Sequence, residues 1–418
     1  MTDSVNALSR RIKKHIIGRT QTFFAVTSPG FENICLDELM RLDLSEQYRM
    51  KSPVVVHGGV EFQGRLHDCY KANLSLRTCT RILMRLTEFK AVRFDQIEKK
   101  LGAFPWELYL GKGMPVKIFV TTRKSKLYHG DAVAARISSL VSDRLDKADA
   151  LPPISEPVSE PNSETASDDP VCDVQQLFVR VIDDRISISI DSSGIILYRR
   201  GIKTHGGTAP IRETTAAAVL KLAGYEPAGI LADPMFGSGT FSIEAAMMAM
   251  NMPAGYFRRF AFMDWPSFRP GRWAYIKREA EKNILPMTGT RIFASDKDHH
   301  AVHMLAKTLA EKQLDCAVSL QRGDFFEISP SLNKNHEPTD RQKVVVLNPP
   351  YGKRLGNPVE NKRLLADIFK KLASDYKGWQ VALITPQHQV KPMPLIQSVT
   401  RAIPHGGLKL TLQTGKIK

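Results

Sequence analysis

From about Tyr198 onward, the hydrophobic positions of the chain follow alternating helix and strand periods. Short apolar runs, rich in β-branched residues, indicate buried strands, and apolar residues at helical spacing indicate the segments between them. The predicted strands are Gly229–Asp233, Arg291–Asp296, Ala317–Leu320, Val344–Leu347 and Gln380–Thr385, and the predicted helices are Glu213–Ala223, Thr240–Met250, Ala301–Lys312 and Leu364–Tyr376. Strands that alternate with helices form parallel βαβ units, so we expect an α/β domain built on a mostly parallel sheet.

The N-terminal half has a mixed pattern, with strand, helix and strand periods between Gln21 and about Val60. After a predicted helix around 66–76, Arg77, Arg81 and Arg85 recur at i+4 spacing, which is typical of a solvated helix face. A strand at 115–121, a helix at 131–146 and a hairpin at 176–191 are predicted to follow, with Asp183-Asp184 at the hairpin turn.

The sequence predicts two segments that do not pack into a hydrophobic core. Residues 1–20 contain Arg10, Arg11, Lys13 and Lys14, and we expect either a solvated tail or a basic arm that contacts phosphates. Residues 151–170 are acidic and low in complexity, with no Lys or Arg, and are predicted to be a disordered insert within a domain.

Composition narrows the function classes. The chain has 418 residues with 43% hydrophobic content, and no apolar run approaches the length of a membrane span. Neither a signal peptide nor zinc-like cysteine spacing is found, so a cytoplasmic protein without a metal site is expected. The net charge of +16 favours a polyanionic partner such as nucleic acid.

The strand at 344–347 leads into Asn348-Pro349-Pro350-Tyr351. Neither proline has an N–H for a sheet ladder, so Asn348 must lie at the carboxyl end of this buried strand, where open α/β sheets bind ligands. The Asn348 amide oxygen and the Pro349 carbonyl can accept both hydrogens of a planar NH2 group, and Tyr351 can stack on it. Accepting both hydrogens returns electron density to the nitrogen, so no strongly shifted general base is needed. The predicted catalytic residues are therefore Asn348, Pro349, Pro350 and Tyr351.

Three aspartates come earlier along the same predicted sheet. Asp233 begins a loop whose glycines, Gly237 and Gly239, allow a tight turn and a close approach to a ligand. Asp296 ends the second strand, where an acidic residue takes ribose hydroxyls, and Asp324 can accept an adenine amino group beside an aromatic face. In this order before Asn-Pro-Pro-Tyr, they indicate an S-adenosylmethionine enzyme. The predicted cofactor-binding residues in these stretches are Asp233, Pro234, Phe236, Gly237, Ser238, Gly239, Thr240, Asp296, Asp324 and Phe325.

With these motifs in place, the chain resembles the THUMP-domain RNA guanine-N2 methyltransferases, in particular the bacterial large-subunit ribosomal RNA type. The matching stretches are Leu197–Gly201, Ala209–Thr214, Asp233–Glu244, Pro253–Gly255 and Asn348–Gly356. The resemblance implies a class I, Rossmann-like methyltransferase domain with a seven-stranded, mostly parallel sheet at 196–418. It also implies a ferredoxin-like segment at 21–60 and a THUMP RNA-binding domain at 61–195, after the basic tail at 1–20.

The resemblance further implies site roles. Arg212, in the stretch 209–214, would lie near the methionine end of the cofactor, and Asn348, Pro349 and Tyr351 would hold the guanine. Two departures from the family pattern are Met235, where a bulkier residue is usual, and Ala294-Ser295, where a glycine is more common before the ribose acid.

The sequence therefore predicts S-adenosylmethionine-dependent methylation of the exocyclic N2 of a guanosine in structured RNA, with 23S ribosomal RNA favoured. Guanine-N2 methylation of transfer RNA is the nearest alternative. Adenine-N6 methylation of nucleic acid and methylation of a protein glutamine also use Asn-Pro-Pro-Tyr, although the basic N-terminal half disfavours a protein substrate. A non-catalytic RNA-binding assembly factor is a further alternative, which the intact cofactor motifs disfavour. A single cofactor loop indicates one methylation activity, and the oligomeric state is not indicated.

Overall fold

The computed structural model describes residues 2–42, 44, 52–147, 174–202, 211–287, 289, 291–330, 341–350, 358–387, 394–405 and 408–418. The acidic insert predicted at 151–170 and the predicted catalytic residue Tyr351 lie outside these residues. The chain folds into two compact units. Unit 1 comprises Met1–Thr27, Cys35–Leu197 and Phe257–Arg278, and unit 2 comprises Ser28–Ile34, Tyr198–Tyr256 and Glu279–Lys418.

Unit 1 is built on a mixed seven-stranded sheet in the order β2-β3-β1-β4-β7-β6-β5. The strands are β1 (Gln21–Thr27), β2 (Val54–Val56), β3 (Gly59–Gly64), β4 (Cys79–Lys90), β5 (Val116–Arg123), β6 (Gln175–Ile182) and β7 (Arg185–Asp191). The helices that precede or connect them are α1 (Thr2–Ile12), α2 (Glu32–Arg41), α3 (Leu66–Ser75), α4 (Phe94–Gly102) and α5 (Gly130–Lys147). Only β5 and β6 pair in parallel in this sheet as described, and the other neighbours are antiparallel.

Two expectations for this unit are wrong. Arg81 and Arg85 lie on strand β4 and not on a helix. Residues four apart share a face in a strand as well as in a helix, and pairing of β4 with both β1 and β7 decides in favour of the strand. The solvated tail expected at residues 1–20 is wrong, because α1 continues as a π-helical turn at Lys13–Ile17 and buries Leu8, Ile12 and Ile16, while the alternative of a basic arm that contacts phosphates stays a prediction.

Unit 1 also takes in Phe257–Arg278, which follows unit 2 residues in the chain. Within unit 1 the ring of Phe262 stacks on Tyr70 with centroids 4.3 Å apart, and Trp273 meets Tyr70 edge-on. The buried Trp265 indole donates a 2.8 Å hydrogen bond to the Gln175 side chain on β6. This segment is therefore part of the hydrophobic core of unit 1.

Unit 2 contains the predicted α/β domain, with strand order β10-β9-β8-β11-β12-β14-β13. Its strands are β8 (Ile230–Asp233), β9 (Ile292–Asp296), β10 (Val318–Arg322), β11 (Lys343–Leu347), β12 (Gln380–Pro386), β13 (Leu395–His405) and β14 (Leu408–Ile417). The helices are α6 (Glu213–Leu222), α7 (Thr240–Ala249), α9 (His299–Glu311) and α10 (Pro358–Asp375), while α8 (Pro270–Lys282) begins in unit 1. Strands β8 to β12 are parallel, and β14 is antiparallel to both of its neighbours. The predicted seven-stranded, mostly parallel sheet is confirmed, although the hairpin of β13 and β14 was not predicted.

The middle of this sheet is its most deeply buried part. Val344–Leu347 of β11 and Val381–Ile384 of β12 are fully buried, which explains their unbroken apolar sequence. Every residue of α7 is buried as well. The carboxyl ends of β8 and β11 are therefore positioned by fully buried, closely packed elements. In the described part of the chain, no helix is long and apolar enough to cross a membrane.

Candidate functional site

The predicted site residues gather at the carboxyl ends of the central strands of unit 2. From β8 the chain continues to β9 and β10 on one side, and the connection after β10 returns to β11 on the other side of β8. Open α/β sheets bind their ligands at such a switch point. Asp233 ends β8 in register with Ala294 of β9, and Ala232 pairs with Val345 of β11, three residues before Asn348.

Asp233 is a buried carboxylate, with 1% of its surface exposed. The Ser242 hydroxyl on α7 donates a 2.7 Å hydrogen bond to Asp233 Oδ2. The pKa of Asp233 is raised to about 7, chiefly by burial, with the Ser242 hydrogen bond opposing the rise and the negative charge of Asp296 adding to it. A cationic ligand group beside this carboxylate would favour its charged form. Ser242 was not predicted as a site residue, although its position two residues into α7 places it near the end of β8.

The loop between Asp233 and α7 is shaped by its glycines. Gly237 has φ +57°, and a Cβ there would meet nothing within 4 Å, so its backbone is open to a ligand. Gly239 has φ +73°, and a Cβ would lie 2.5 Å from Leu305 Cδ1 on α9. Gly239 therefore brings the start of α7 against α9, whereas Gly237 leaves space. Of the other predicted loop residues, Pro234, Phe236 and Thr240 are buried, and the Ser238 and Thr240 hydroxyls lie 2.9 Å apart.

Asp296 ends β9 and faces this loop. Its Oδ2 accepts a 2.9 Å hydrogen bond from the Gly237 N–H, and its Oδ1 accepts one of 2.9 Å from the Asp298 N–H. The carboxylate is half-buried, so it lies at the rim of the loop and not beneath it. A vicinal diol at this rim would meet an acceptor already fixed in orientation.

Asp324 and the two following aromatic residues lie beyond β10. Asp324 Oδ1 accepts a 2.9 Å hydrogen bond from the Phe326 N–H, which fixes the turn. Phe325, predicted to face adenine, is only 2% exposed and packs in the core against Tyr376, with centroids 6.1 Å apart. Phe326 is 38% exposed, so the structure makes Phe326 and not Phe325 the open aromatic surface beside Asp324. Consecutive side chains at this turn point in different directions, which the sequence did not resolve.

Asn348 lies directly after β11, as predicted, and is half-buried. Its Oδ1 is buried, and no group in the described part of the chain donates a hydrogen bond to it. Pro349 is buried and Pro350 is exposed. A buried amide oxygen without a donor costs free energy, so a ligand that supplied a donor here would be stabilised by this oxygen.

Arg212 and a buried ion pair lie at the start of α6. Arg212 is exposed, and its guanidinium lies 5.1 Å from the centre of the Tyr198 ring. Arg200 donates a 2.8 Å hydrogen bond from Nε to Glu244 Oε1 on α7, and both side chains are buried. Arg200 lies in the stretch Leu197–Gly201, but no site role was predicted for it from the sequence.

Glu213, next to Arg212, is also shielded from water. Burial raises its pKa to about 7, and the charge of Glu244 acts in the same direction while Arg200 opposes it. Two acidic groups and one arginine therefore share a poorly solvated space between α6 and α7.

These residues fit an S-adenosyl cofactor. An open glycine backbone at Gly237, a buried acid at Asp233 and a rim acid at Asp296 lie along the carboxyl edge of β8 and β9. Asp324 adds an oriented acceptor beside the exposed ring of Phe326. Together they offer acceptors for an ammonium group, a ribose diol and an adenine amino group, in the order of the strands.

Two family models match the chain. Residues 200–401 match the RMKL-like methyltransferase domain, and residues 22–83 match the RlmL ferredoxin-like domain. The chain is 31% identical over 378 residues to the ribosomal RNA large subunit methyltransferase K/L of Syntrophotalea carbinolica, covering 87% of this chain and 49% of that protein. The chain thus spans about half the length of that relative. It is also 28% identical to YpsC of Bacillus subtilis, which carries a provisional RNA methyltransferase assignment, over 87% of each chain.

Two solved structures are similar over nearly the whole chain. SMU.472, provisionally assigned as a methyltransferase and crystallised with SAH, has 26% identity and a TM-score of 0.77, covering 96% of this chain and 99% of its own. A Listeria monocytogenes structure, described as a predicted N6-adenine-specific DNA methylase, has 25% identity and a TM-score of 0.77, covering 96% and 97%. On these matches, the chain belongs to the family that combines an RlmL-type ferredoxin-like domain with an RMKL-like methyltransferase domain.

Proposed function

We propose that this protein is an S-adenosylmethionine-dependent RNA methyltransferase that modifies the exocyclic N2 of a guanosine, with 23S ribosomal RNA as the favoured substrate. The observation that carries the proposal is the buried Asn348 amide oxygen at the carboxyl end of β11, to which no described residue donates. An NH2 group of a flipped base would supply that missing hydrogen.

The cofactor, when bound, supplies an electrophilic methyl group. Asp233, Asp296 and Asp324 would hold its ammonium, ribose and adenine portions, and the open Gly237 backbone would lie against it. Asn348 Oδ1 and the Pro349 carbonyl would accept the two hydrogens of the guanine amino group. Both hydrogen bonds draw the nitrogen lone pair away from the ring and fix its direction, and Tyr351 would stack on the base.

The preference for RNA rests on charge and on the relatives. A net charge of +16 favours a polyanion. The Syntrophotalea carbinolica relative is named for large-subunit ribosomal RNA, and the Bacillus subtilis relative for RNA. We also propose that the predicted THUMP domain at 61–195 holds the RNA by its shape and phosphates, because A-form helices hide the base edges of their major groove.

The test is identification of the methylated nucleoside. Purified protein with labelled S-adenosylmethionine is incubated separately with unmodified 23S RNA, transfer RNA and a DNA duplex, and the digested product is identified by mass spectrometry. N2-methylguanosine in 23S RNA supports the proposal, whereas the same nucleoside in transfer RNA changes the substrate. N6-methyladenosine would refute the guanine assignment.

Asn348→Ala tests the role of the amide. We expect the rate to fall by about 10²–10³-fold, as for loss of one transition-state hydrogen-bonding group. Asn283→Ala, at an exposed asparagine of the same unit, is the matched control and should keep full turnover. Retained SAH binding by Asn348→Ala would show that the loss is chemical, and near-full turnover of this variant would contradict the proposed chemistry.

A further inference from the structure

The outer edge of the unit 1 sheet has one face that helices leave open. Along β5 the exposed and half-buried positions alternate, and Lys117, Phe119 and Thr121 are on the exposed side. On β6, Phe178 and Arg180 are half-buried while their neighbours Leu177, Val179 and Val181 are buried. Parallel pairing puts Phe119 beside Phe178 and Thr121 beside Arg180. We call these five residues, Lys117, Phe119, Thr121, Phe178 and Arg180, the β5–β6 face.

Two stacked rings occupy the centre of the β5–β6 face. The Phe119 and Phe178 rings have centroids 5.2 Å apart and an interplanar angle of 16°. Phe119 is on β5, the last strand in the order of this sheet, and 38% of its surface is exposed. The Phe119 ring therefore contacts Phe178 and still keeps part of its surface exposed on the edge strand. Two adjacent aromatic rings at an open edge form an apolar patch, which is more informative about a binding surface than a single exposed ring.

One cationic group lies over each of the two rings. Lys117 Nζ lies 5.3 Å from the centre of the Phe119 ring, and the Arg81 guanidinium lies 5.5 Å from that of Phe178. Burial lowers the pKa of Arg85, and the positive charge of Arg180 acts in the same direction while the nearby Glu61 carboxylate opposes both effects.

The sheet register extends this basic character beyond the β5–β6 face. On the same side of β4 to β7, as described, cationic side chains outnumber carboxylates. The cations are Arg81, Arg85, Lys90, Lys117, Arg123, Arg180 and Arg185, against Glu88 and Asp191, with Glu61 on β3 next to Arg85. Arg81 pairs with Asp191, and Arg185 with Glu88, which leaves the positive charge concentrated around β5 and β6.

Rings flanked by cations on an open sheet are the combination that binds single-stranded nucleic acid, because every base has a π-face and every linkage has a negative phosphate. A hydrophobic peptide would gain from the rings but would have to desolvate Lys117 and Arg180. We propose that the β5–β6 face binds an unpaired segment of the RNA substrate, with one base stacked on Phe119 and phosphates held by Lys117 and Arg180. This inference rests on the proposed function, since it names a surface that holds the same RNA.

The test compares binding of the full-length protein to a short oligouridine and to an RNA duplex of equal length, by fluorescence anisotropy. Phe119→Leu keeps an apolar side chain but removes the ring, and should weaken oligouridine binding about tenfold, as for loss of one stacked base. Phe119→Tyr keeps the ring and should bind as the unmodified chain does. The matched control is Tyr275→Ala, which removes a 46% exposed ring that also lies beside an arginine, Arg272, in the same unit.

Two further measurements locate the contact. Lys117→Gln should reduce the slope of log affinity against log salt by about one, as for one lost phosphate contact. A 4-thiouridine oligonucleotide should crosslink to peptides of β5 or β6. Equal oligouridine affinity of Phe119→Leu and the unmodified chain, or crosslinks confined to other peptides, would overturn the proposal. If the unmodified chain binds SAH but neither RNA, the proposed function fails. If the unmodified chain binds RNA and Phe119→Leu binds it equally well, only the proposed role of the β5–β6 face is wrong, and a protein partner for that face would be tested next.

Discussion

Replacing Asp233 with asparagine should change how the stability of this protein depends on pH. Asp233 is 1% exposed, and burial together with the charge of Asp296 raises its pKa to about 7. Asparagine has nearly the same shape, carries no charge and keeps an oxygen that can accept the Ser242 hydrogen bond. Asp233→Asn therefore removes the titration with little change in packing.

The sign of the effect follows from the raised pKa. Below about pH 4 the folded and unfolded chains both carry the proton on Asp233. Between about pH 4 and about pH 7 only the folded chain keeps it, so the free energy of unfolding falls as pH rises through this range. The difference between the ordinary pKa of 3.8 and about 7 in the fold corresponds to ~4 kcal/mol. The Asp233→Asn variant should not show this loss.

Urea unfolding of the cofactor-free protein and of Asp233→Asn, measured at several values between about pH 4 and about pH 8, gives the difference in free energy of unfolding at each pH. Other titrating groups contribute equally to both proteins and cancel. The variant should gain stability over the unmodified chain as pH rises, up to ~4 kcal/mol. Ser242→Ala should extend the decline to higher pH, because it removes a hydrogen bond that lowers the pKa of Asp233 in the folded chain. A difference that stays constant with pH would refute a buried, proton-carrying Asp233.

Two further predictions concern the supports of the site. Gly239→Ala should lower the free energy of unfolding by about 1–3 kcal/mol, because its backbone has φ +73° and the added Cβ would lie 2.5 Å from Leu305 Cδ1. Gly237→Ala is the control, because Gly237 also has positive φ but its Cβ would meet nothing within 4 Å. Comparing the two variants in thermal unfolding separates the strain of positive φ from the clash with Leu305. Arg200→Met should cost about 3–5 kcal/mol by removing the cation from buried Glu244, and the double variant with Glu244→Leu should recover much of that loss in a denaturant titration. No recovery in the double variant would show that Arg200 stabilises the fold mainly through other contacts.

The alternating elements of unit 2 were predictable because their signals are local. Strands such as β11 are buried on both faces, so their sequences are continuously apolar. The assignment failed where one spacing fits two structures, as for Arg81 and Arg85 on β4, since only pairing with β1 and β7 distinguishes them. The C-terminal β13 gave no apolar run because it is an edge strand that exposes much of its surface.

At the candidate site, strand ends gave the positions of Asp233, Asp296 and Asn348, because a strand's carboxyl end is visible in the sequence. The direction of side chains could not be predicted from the sequence in the same way. Phe325 was predicted to be the aromatic residue at the site beside Asp324, whereas Phe326 is the exposed ring. Partners distant in sequence, such as Glu244 for Arg200, had no local signal at all.

Because Phe257–Arg278 belongs to unit 1 although unit 2 residues precede and follow it in the chain, the protein cannot be cut into its two units at one position. A fragment that ends at Leu197 keeps most of unit 1 but loses Phe262 and Trp273, which cover Tyr70, and Trp265, which binds Gln175. Such a fragment would expose a large aromatic surface and should aggregate or bind a hydrophobic dye. A graft of the continuous segment 198–418 onto another protein would likewise carry these aromatic side chains without their partners. No single cut in the chain therefore separates the two units without removing part of the hydrophobic core of unit 1.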